Sequence, residues 1–368
     1  MNNVLSSCRI TLSVVLILIL GGCMNQESSA VEALIGRDFR DLSIFPNSEE
    51  LLLVEVNEKE LPEHSRILRY NLKKNTLQHY ALPKGYAYTD AKISPSGNYI
   101  VMKRVKEVDV SDESKVRETL DNPEIAIMKA DGTDFRVLPL IPGYKHGPIL
   151  SNDDNKLAYW RGTLRKPHSK SLASGLDIWE FDLTTGKDTL FAGPFEFFEG
   201  MLMQYLPGDS EVLFHGFGPS AHAQSMSRYG KRYNNSQAYR ASRGQSQLPE
   251  PILTEVNHAD FPTQSKNGDL VFKGEKPTIS IFIRSVQGKL SQWLAPEKFW
   301  GPNGITAIVM ATNETFVAFI YSLPDDHYDR FKEKQAGIGM LIPNSSEWKT
   351  MKIPSLGSSL PIVVKLAQ

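Results

Sequence analysis

Basic and aromatic side chains alternate in one stretch of this sequence, and such a mixture could recognise an anion or a sugar. The stretch is 222–233, and 162–170 is a second basic segment. An arginine side chain pairs with a carboxylate through two hydrogen bonds, and a tyrosine ring can stack on a sugar ring. The candidate ligand-binding residues are Arg165, His222, Arg228, Tyr229, Lys231, Arg232 and Tyr233. The alternative is a set of solvated loops whose charges keep the surface soluble.

Two histidines are candidates for a metal site. His146 and His258 each stand just before an apolar segment, at comparable positions of a repeat described below. A metal usually takes three or four protein ligands, so His222 or Asp260 would have to complete the set. The two short segments resemble metal-binding histidine segments of oligogalacturonate lyases, which implies a divalent metal and lyase chemistry on acidic polysaccharide. The alternative is histidines that line a polar channel, with no cofactor.

Serine-dependent hydrolysis is not indicated by any motif. No Gly-x-Ser-x-Gly segment occurs, and Gly218-Pro-Ser-Ala-His222 lacks the final glycine. No complete set of catalytic residues can be assembled from the sequence, so we expect a binding function rather than an enzyme.

The amino terminus has the pattern of an export signal. A polar segment with Arg9 precedes an apolar run over 10–20, and Gly21-Gly22 leads to Cys23. The run is shorter than the roughly 20 residues of a transmembrane helix. An ordinary secretory signal with an incidental cysteine is the alternative to a lipoprotein signal.

The segment Leu20-Gly-Gly-Cys23 resembles the bacterial lipobox. The resemblance implies a signal peptide over 1–22, a lipid on Cys23 and a lipid-anchored tether over 23–39. Met24 in place of aspartate implies sorting to the outer membrane of a Gram-negative envelope, facing the periplasm or the surface. Each buried lipid methylene contributes about 0.8 kcal/mol, so a multiply acylated cysteine would anchor the chain stably.

The composition excludes some partners and some ways of stabilising the fold. The 368 residues carry a formal net charge of −1, which argues against a nucleic-acid partner. The only cysteines are Cys8 and Cys23, so the part of the chain after Cys23 has no disulfide and must be stabilised by its core.

A unit of a turn followed by an apolar strand recurs along the chain. Its copies occupy 45–54, 94–104, 151–161, 206–215, 265–273 and 311–320. A hairpin follows each copy, and Asp131-Gly132 is a strong hairpin signal. With an inner strand before each turn, the unit has four strands. The sequence therefore predicts an all-β fold, a six-bladed β-propeller of four-stranded antiparallel blades over 40–368.

Two segments resemble the repeat of TolB-type propellers: Ser94-Pro-Ser-Gly-Asn-Tyr-Ile-Val101 and Asp177-Ile-Trp-Glu-Phe-Asp-Leu-Thr-Thr-Gly-Lys187. The resemblance implies a TolB-like six-bladed propeller, without the TolB amino-terminal α/β domain, and it implies little about function. We also expect 38–44 or 360–366 to join a blade that contains the opposite terminus.

Four blades have long connections between their second and third strands. They lie at 105–123, 162–175, 216–236 and 322–335, and all emerge at the same end of a propeller. We therefore predict an envelope lipoprotein whose propeller is a non-enzymatic binding or scaffolding module for a protein or an anionic glycan. The alternative is a metal-dependent lyase acting on acidic polysaccharide, with Arg228 or Arg232 neutralising the substrate carboxylate.

Overall fold

A computed structural model describes residues 38–57, 64–108, 113–164, 173–218, 236–276, 279–293, 305–322, 336–341, 348–351 and 362–364. These residues form six antiparallel sheets, each made of consecutive strands except for one added strand, and the sheets are the six predicted blades. The first strand begins at Asp38.

The strands are numbered in chain order, and each blade starts with its inner strand. Blade 1 has β1 Asp38–Ile44, β2 Glu50–Asn57, β3 His64–Asn71 and β4 Thr76–Tyr80. Blade 2 has β5 Tyr86–Ile93, β6 Tyr99–Lys106, β7 Glu124–Lys129 and β8 Arg136–Val137. Blade 3 has β9 Tyr144–Leu150, β10 Lys156–Leu164, β11 Ala173–Asp182 and β12 Asp188–Phe197.

The second half of the ring follows the same order. Blade 4 has β13 Glu199–Tyr205, β14 Glu211–Phe217 and β15 Gln237–Ser242. Blade 5 has β16 Ala259–Gln264, β17 Leu270–Glu275, β18 Ile279–Arg284 and β19 Leu290–Trp293. Blade 6 has β20 Ile305–Met310, β21 Val317–Ser322, β22 Ala336–Leu341 and β23 Trp348–Met351. Within the described residues blade 4 thus has three strands, where the sequence predicted four.

The turn between the first and second strands has the same geometry in all six blades. Its fourth residue has a positive φ and donates its backbone N–H to the carbonyl of the first residue at 2.8–3.1 Å. These fourth residues are Ser48, Gly97, Asp154, Asp209, Gly268 and Glu314. Since left-handed backbone is costly for residues other than glycine, the four exceptions need compensating contacts.

Three of those exceptions reach the preceding blade, and one of them is Asp154, whose Oδ2 accepts a hydrogen bond from the hydroxyl of Ser96. Asp209 Oδ1 accepts hydrogen bonds from the backbone N of Asn152 at 3.0 Å and from its Nδ2 at 2.6 Å. Glu314 Oε1 accepts from the backbone N of Lys266 at 2.6 Å. The turns therefore connect neighbouring blades as well as neighbouring strands.

The core is divided among the blade interfaces. Six apolar clusters each join two adjacent blades, and one of them joins blade 6 to blade 1 through Phe39, Leu53, Phe316 and Ile320. Because every blade buries a face against each neighbour, the ring is closed by side-chain packing.

The carboxyl-terminal tail adds a strand to the first blade. The strand β24, Ile362–Val364, pairs in parallel with β4, with Val363 opposite His79. This confirms the expectation that one terminal segment joins the blade containing the other terminus, and it assigns that role to the tail.

The first long connection differs from its expected form as a loop. Helix α1, Glu113–Asp121, occupies part of 105–123, and Leu120 packs against the core cluster of blades 3 and 4. In the second connection, β10 and β11 extend through Leu164 and from Ala173, which makes part of it a longer hairpin. Among the described residues, no helix has the length and apolar character required to cross a bilayer.

Candidate functional site

The inner strands of the six blades surround a central channel with two different ends. The inserted face is the end that carries the connections between second and third strands and between successive blades. The turn face is the opposite end, which carries the six turns between first and second strands.

Buried ionisable side chains gather in the channel. They lie on or next to the inner strands and on the second strands that pair with the inner strands. Backbone pairing sets Thr89 opposite Lys103, His146 opposite Trp160, and Asp260 opposite Lys273. We call the following residues the channel cluster: Asp41, Asp90, Lys92, Lys103, His146, His215, His258, Asp260 and Lys273. The corresponding pair in blade 6, Ala307 and Ile320, is apolar, so the cluster involves blades 1 to 5 and leaves out blade 6.

The aspartates of blades 1 and 2 contact each other, and one of them pairs with a lysine. Lys103 Nζ lies 3.2 Å from Asp90 Oδ2, and Asp90 Oδ2 also accepts the backbone N–H of Gly147 at 3.0 Å. Asp41 Oδ2 accepts the backbone N–H of Asp90 at 2.7 Å. These bonds hold Asp90 at its positive φ of 54°, in a bulge between β5 and β6.

Burial and the neighbouring charges shift the pKa values of Asp41 and Asp90 in opposite directions. Burial and the charge of Asp90 raise the pKa of Asp41 to about 6. For Asp90, burial acts to raise the pKa, but Lys103 and the hydrogen bond from Gly147 outweigh it, so the pKa is lowered. Asp90 is therefore the carboxylate that stays charged, with Lys103 as its counterion.

His146 is packed between aromatic rings. Its ring lies 5.3 Å from that of Tyr144 and is stacked 6.5 Å from that of Trp160, measured between centroids. Burial lowers the pKa of His146 to about 4, although Asp90 acts in the opposite direction. The imidazole is therefore neutral at neutral pH.

A second group of charges belongs to blades 4 and 5. His258 Nε2 donates to Asp260 Oδ2, and Lys273 Nζ lies 3.6 Å from the same oxygen. Burial acts to raise the pKa of Asp260, but the bond from His258 and the charges around it lower the pKa below its ordinary value. His215 Nδ1 accepts the backbone N–H of Phe261 at 3.1 Å, and burial lowers the pKa of His215 to about 4.

The two histidines singled out from the sequence do not occupy equivalent positions. Asp260 pairs with Lys273 as His146 pairs with Trp160, so His258 lies two residues before the position equivalent to His146. The bulges in β9–β10 and in β16–β17 are alike, so the offset comes from the spacing along the chain: His146 stands five residues before the turn residue Ser151, and His258 stands seven residues before Ser265. His146 contacts Tyr144 and Trp160, while His258 binds Asp260.

Most of the channel cluster was missed by the sequence analysis. Lys103, His215 and Lys273 each close the apolar strand that follows the repeated turn, in YIVMK, EVLFH and DLVFK. A polar residue at the same place in three repeats was a usable signal. Asp41, Asp90 and Lys92 carry no comparable signal, because their roles depend on contacts between blades.

The other predicted site residues lie outside the described residues. They are Cys23, Arg165, His222, Arg228, Tyr229, Lys231, Arg232 and Tyr233. Within the described part of the chain, no group of three or more histidine, cysteine, aspartate or glutamate side chains is arranged to hold a metal ion.

The inserted face has a cavity of about 470 Å³ between blades 1 and 2. Aromatic and basic residues line it, among them Arg66, Tyr80, Lys84, Tyr86 and Tyr88, together with the acidic Glu107. The guanidinium of Arg104 stacks 4.0 Å from the ring centre of Tyr86, and Tyr88 Oη donates to the carbonyl of Pro83 at 2.8 Å. These contacts fix two of the tyrosine rings at the cavity.

The turn face opens into a second cavity, of about 280 Å³, at the other end of the channel. All six blades contribute to its wall, and Lys92 and Ser43 are among the polar residues that line it. Lys92 Nζ donates to the carbonyl oxygen of Leu42 at 3.2 Å.

Among the comparisons with known proteins, the comparison of structures finds similar proteins. No family model matches it, and neither does any curated protein sequence. The crystal structure of TolB from Acinetobacter baumannii superposes with a TM-score of 0.55 at 11% identity, covering 82% of this chain and 63% of that one. The fold is TolB-like. The chain spans about 63% of the length of that TolB.

Enzymes share this TolB-like fold. Oligogalacturonate lyase from Vibrio parahaemolyticus matches with a TM-score of 0.50 at 12% identity, covering 86% of this chain and 78% of that one. A puromycin-hydrolyzing peptidase from Mycobacterium tuberculosis matches with a TM-score of 0.51 at 12% identity, covering 88% and 54%. The fold therefore does not decide between binding and catalysis.

Proposed function

We propose that this chain is a cell-envelope lipoprotein, anchored through lipid on Cys23, whose propeller is a non-enzymatic binding module for an anionic glycan. An envelope protein is the second candidate partner. The observation that carries the proposal is the cavity on the inserted face, where tyrosine rings lie beside Arg66 and Lys84. Tyrosine rings suit the faces of sugars, and the cations suit their carboxylates.

The state of the channel cluster also favours binding over catalysis. Asp90 and Asp260 each have a lysine as a neighbour. A metal at Asp260 would have to compete with Lys273 and His258 for the same oxygen. A divalent-metal lyase that uses His146 and His258 remains the alternative, and metal analysis of the purified protein, with His146→Ala and His258→Ala, tests it.

Retention of the protein on immobilised acidic polysaccharide tests the binding proposal. Tyr86→Ala and Lys84→Ala should each weaken retention by about tenfold, which corresponds to about 1.4 kcal/mol. Lys129→Ala is the matched control, because this exposed lysine lies at the turn face. Replacing Arg228, Lys231 and Arg232 together by alanine asks whether the predicted rim residues belong to the same surface. Failure of the wild-type protein to bind any acidic polysaccharide would contradict a glycan partner.

Membrane fractionation and labelling with palmitate test the anchor. Cys23→Ser should abolish the label and release the protein from the membrane fraction or leave it unprocessed, since the acyl chains supply the membrane affinity. A Cys23→Ser protein that still incorporates palmitate would contradict the anchor at Cys23.

A further inference from the structure

The turn-face cavity contains a buried cation whose hydrogen-bonding capacity is mostly unused. Lys92 is enclosed by the channel walls, yet part of its surface stays open to the cavity. Its ammonium has three N–H donors, and one of them is used by the carbonyl of Leu42. Among the described residues, no carboxylate lies within ion-pair distance of Lys92 Nζ. Buried donors require partners, so this group is poised for an acceptor from the cavity.

The neighbouring carboxylates do not supply that acceptor. Asp41 and Asp90 act on Lys92 through their charge, and they oppose the lowering of its pKa by burial. Their own oxygens receive the N–H groups of Asp90 and Gly147, and Asp90 is also paired with Lys103. The two acids thus favour a charged Lys92 without occupying its free donors.

A second donor lies next to Lys92 in space, on the inner strand of the neighbouring blade. Ser43 follows Leu42, whose carbonyl Lys92 contacts, and the Ser43 hydroxyl accepts the backbone N–H of Ile93 at 3.3 Å. With its oxygen engaged as an acceptor, the hydroxyl has its own proton to donate. Lys92 and Ser43 together can meet the two oxygens of one carboxylate.

Apolar residues make up about half of the rest of the cavity wall, beside polar residues that include Gln204, Gln264 and Glu314. Ile93, Met203, Val309 and Met310 line it from three blades and are only partly buried, so they keep apolar surface open to the cavity. A ligand that satisfies both the cation and this wall has an anionic head and an apolar body.

We propose that the turn-face cavity binds a small organic carboxylate, with the carboxylate on Lys92 and Ser43 and the apolar body against the wall. This site lies at the opposite end of the channel from the inserted face, and it does not depend on the proposed glycan binding. The same chemistry would accept the carboxyl terminus of a peptide, and the test separates that source from a free acid.

Calorimetric titration of the full-length protein with hexanoate, octanoate and benzoate tests the site. At least one acid should bind, while hexanamide and hexylamine should not. Lys92→Met should weaken binding by at least about tenfold, the loss expected for a hydrogen bond to a charged group. Lys266→Met is the matched control, because this lysine lines the same cavity at its exposed mouth and should change affinity by less than about threefold owing to solvent screening.

Two further variants keep the test decisive if Lys92→Met does not fold. Ser43→Ala should weaken binding, and Val309→Phe should block it by filling the cavity while leaving Lys92 intact. A short peptide with a free carboxyl terminus is compared with its amide: tighter binding of the peptide acid than of hexanoate would identify a peptide as the source and still support the site. Absence of binding by all acids, equal binding of acid and amide, or wild-type affinity in Val309→Phe would overturn the proposal.

Discussion

The two ends of the central channel bury charge in different ways, although the same strands build both. Toward the inserted face, Asp90 is paired with Lys103, and Asp260 has both His258 and Lys273 as neighbours. Toward the turn face, the one hydrogen bond of Lys92 Nζ within the described residues goes to a backbone carbonyl, and Lys92 borders a cavity. A buried charge with a counterion is already compensated within its own blade, whereas one with open donors is available to a ligand.

The largest expected effect comes from breaking a pair at the inserted end. Lys103→Met leaves Asp90 as an uncompensated buried carboxylate and should lower the free energy of unfolding by about 3–5 kcal/mol. Urea denaturation followed by circular dichroism measures this loss.

Two companion variants sharpen that result. Asp90→Asn combined with Lys103→Met should recover part of the stability, because asparagine tolerates the positive φ and can still accept the N–H of Gly147. Lys92→Met should be much less harmful than Lys103→Met, because it removes a buried cation without leaving a carboxylate that it had paired. Equal losses in Lys103→Met and Lys92→Met would remove the distinction between the two ends.

Lowering the pH should have an intermediate effect on the stability of the fold. The pKa of His146 and that of His215 fall from the ordinary 6.5 to about 4 in the folded protein. The unfolded chain then binds more protons than the folded one between those values, so stability should fall on going from about pH 7 to about pH 5. Asp41, whose pKa is raised to about 6, binds its proton in the folded state and partly offsets this fall.

Single variants separate those contributions. His146→Phe keeps an aromatic ring against Tyr144 and Trp160 and should flatten the decline, whereas Asp41→Asn removes the offset and should steepen it. Urea midpoints measured across the pH range give both slopes. An unchanged slope in His146→Phe would mean that this histidine is not held neutral by burial.

The smallest effect is expected at the turn face itself. Asp209→Ala removes the bonds to Asn152 and leaves a non-glycine residue at a φ of 56°. The loss should be about 1 kcal/mol, because the bonds are exposed. Asp209→Gly should lose less, since glycine accepts the left-handed backbone, and thermal denaturation should rank the two variants in that order. The reverse ranking would show that the backbone angle costs nothing in this turn.

The fold could be predicted from the sequence because its signals are local. The turn beginning at Ser94 and the apolar strand that follows it lie within one short segment, and the same geometry recurs in all six blades. Helix α1 was missed because nine residues within a polar connection give little periodic signal.

The candidate site was predictable only in part. His146, His258 and Asp260 belong to the channel, as their places in the repeat indicated, but His258 stands two residues farther from its turn than His146 does, and Asp260 takes the equivalent position. The pairing of Asp90 with Lys103 and the bond from Gly147 join residues of different strands and blades, so no spacing along the chain encodes them.

The sequence by itself determined the number of blades, the repeated turns and the end of the ring that carries long connections, because each depends on residues close together in the chain. Only the tertiary structure decided which buried charges have a counterion and which keep hydrogen-bond donors available. Asp90 stays ionised beside Lys103, and Lys92 keeps donors free at the cavity. The physical reason is that solvation and electrostatic pairing act through space, between strands that the closure of the ring brings together.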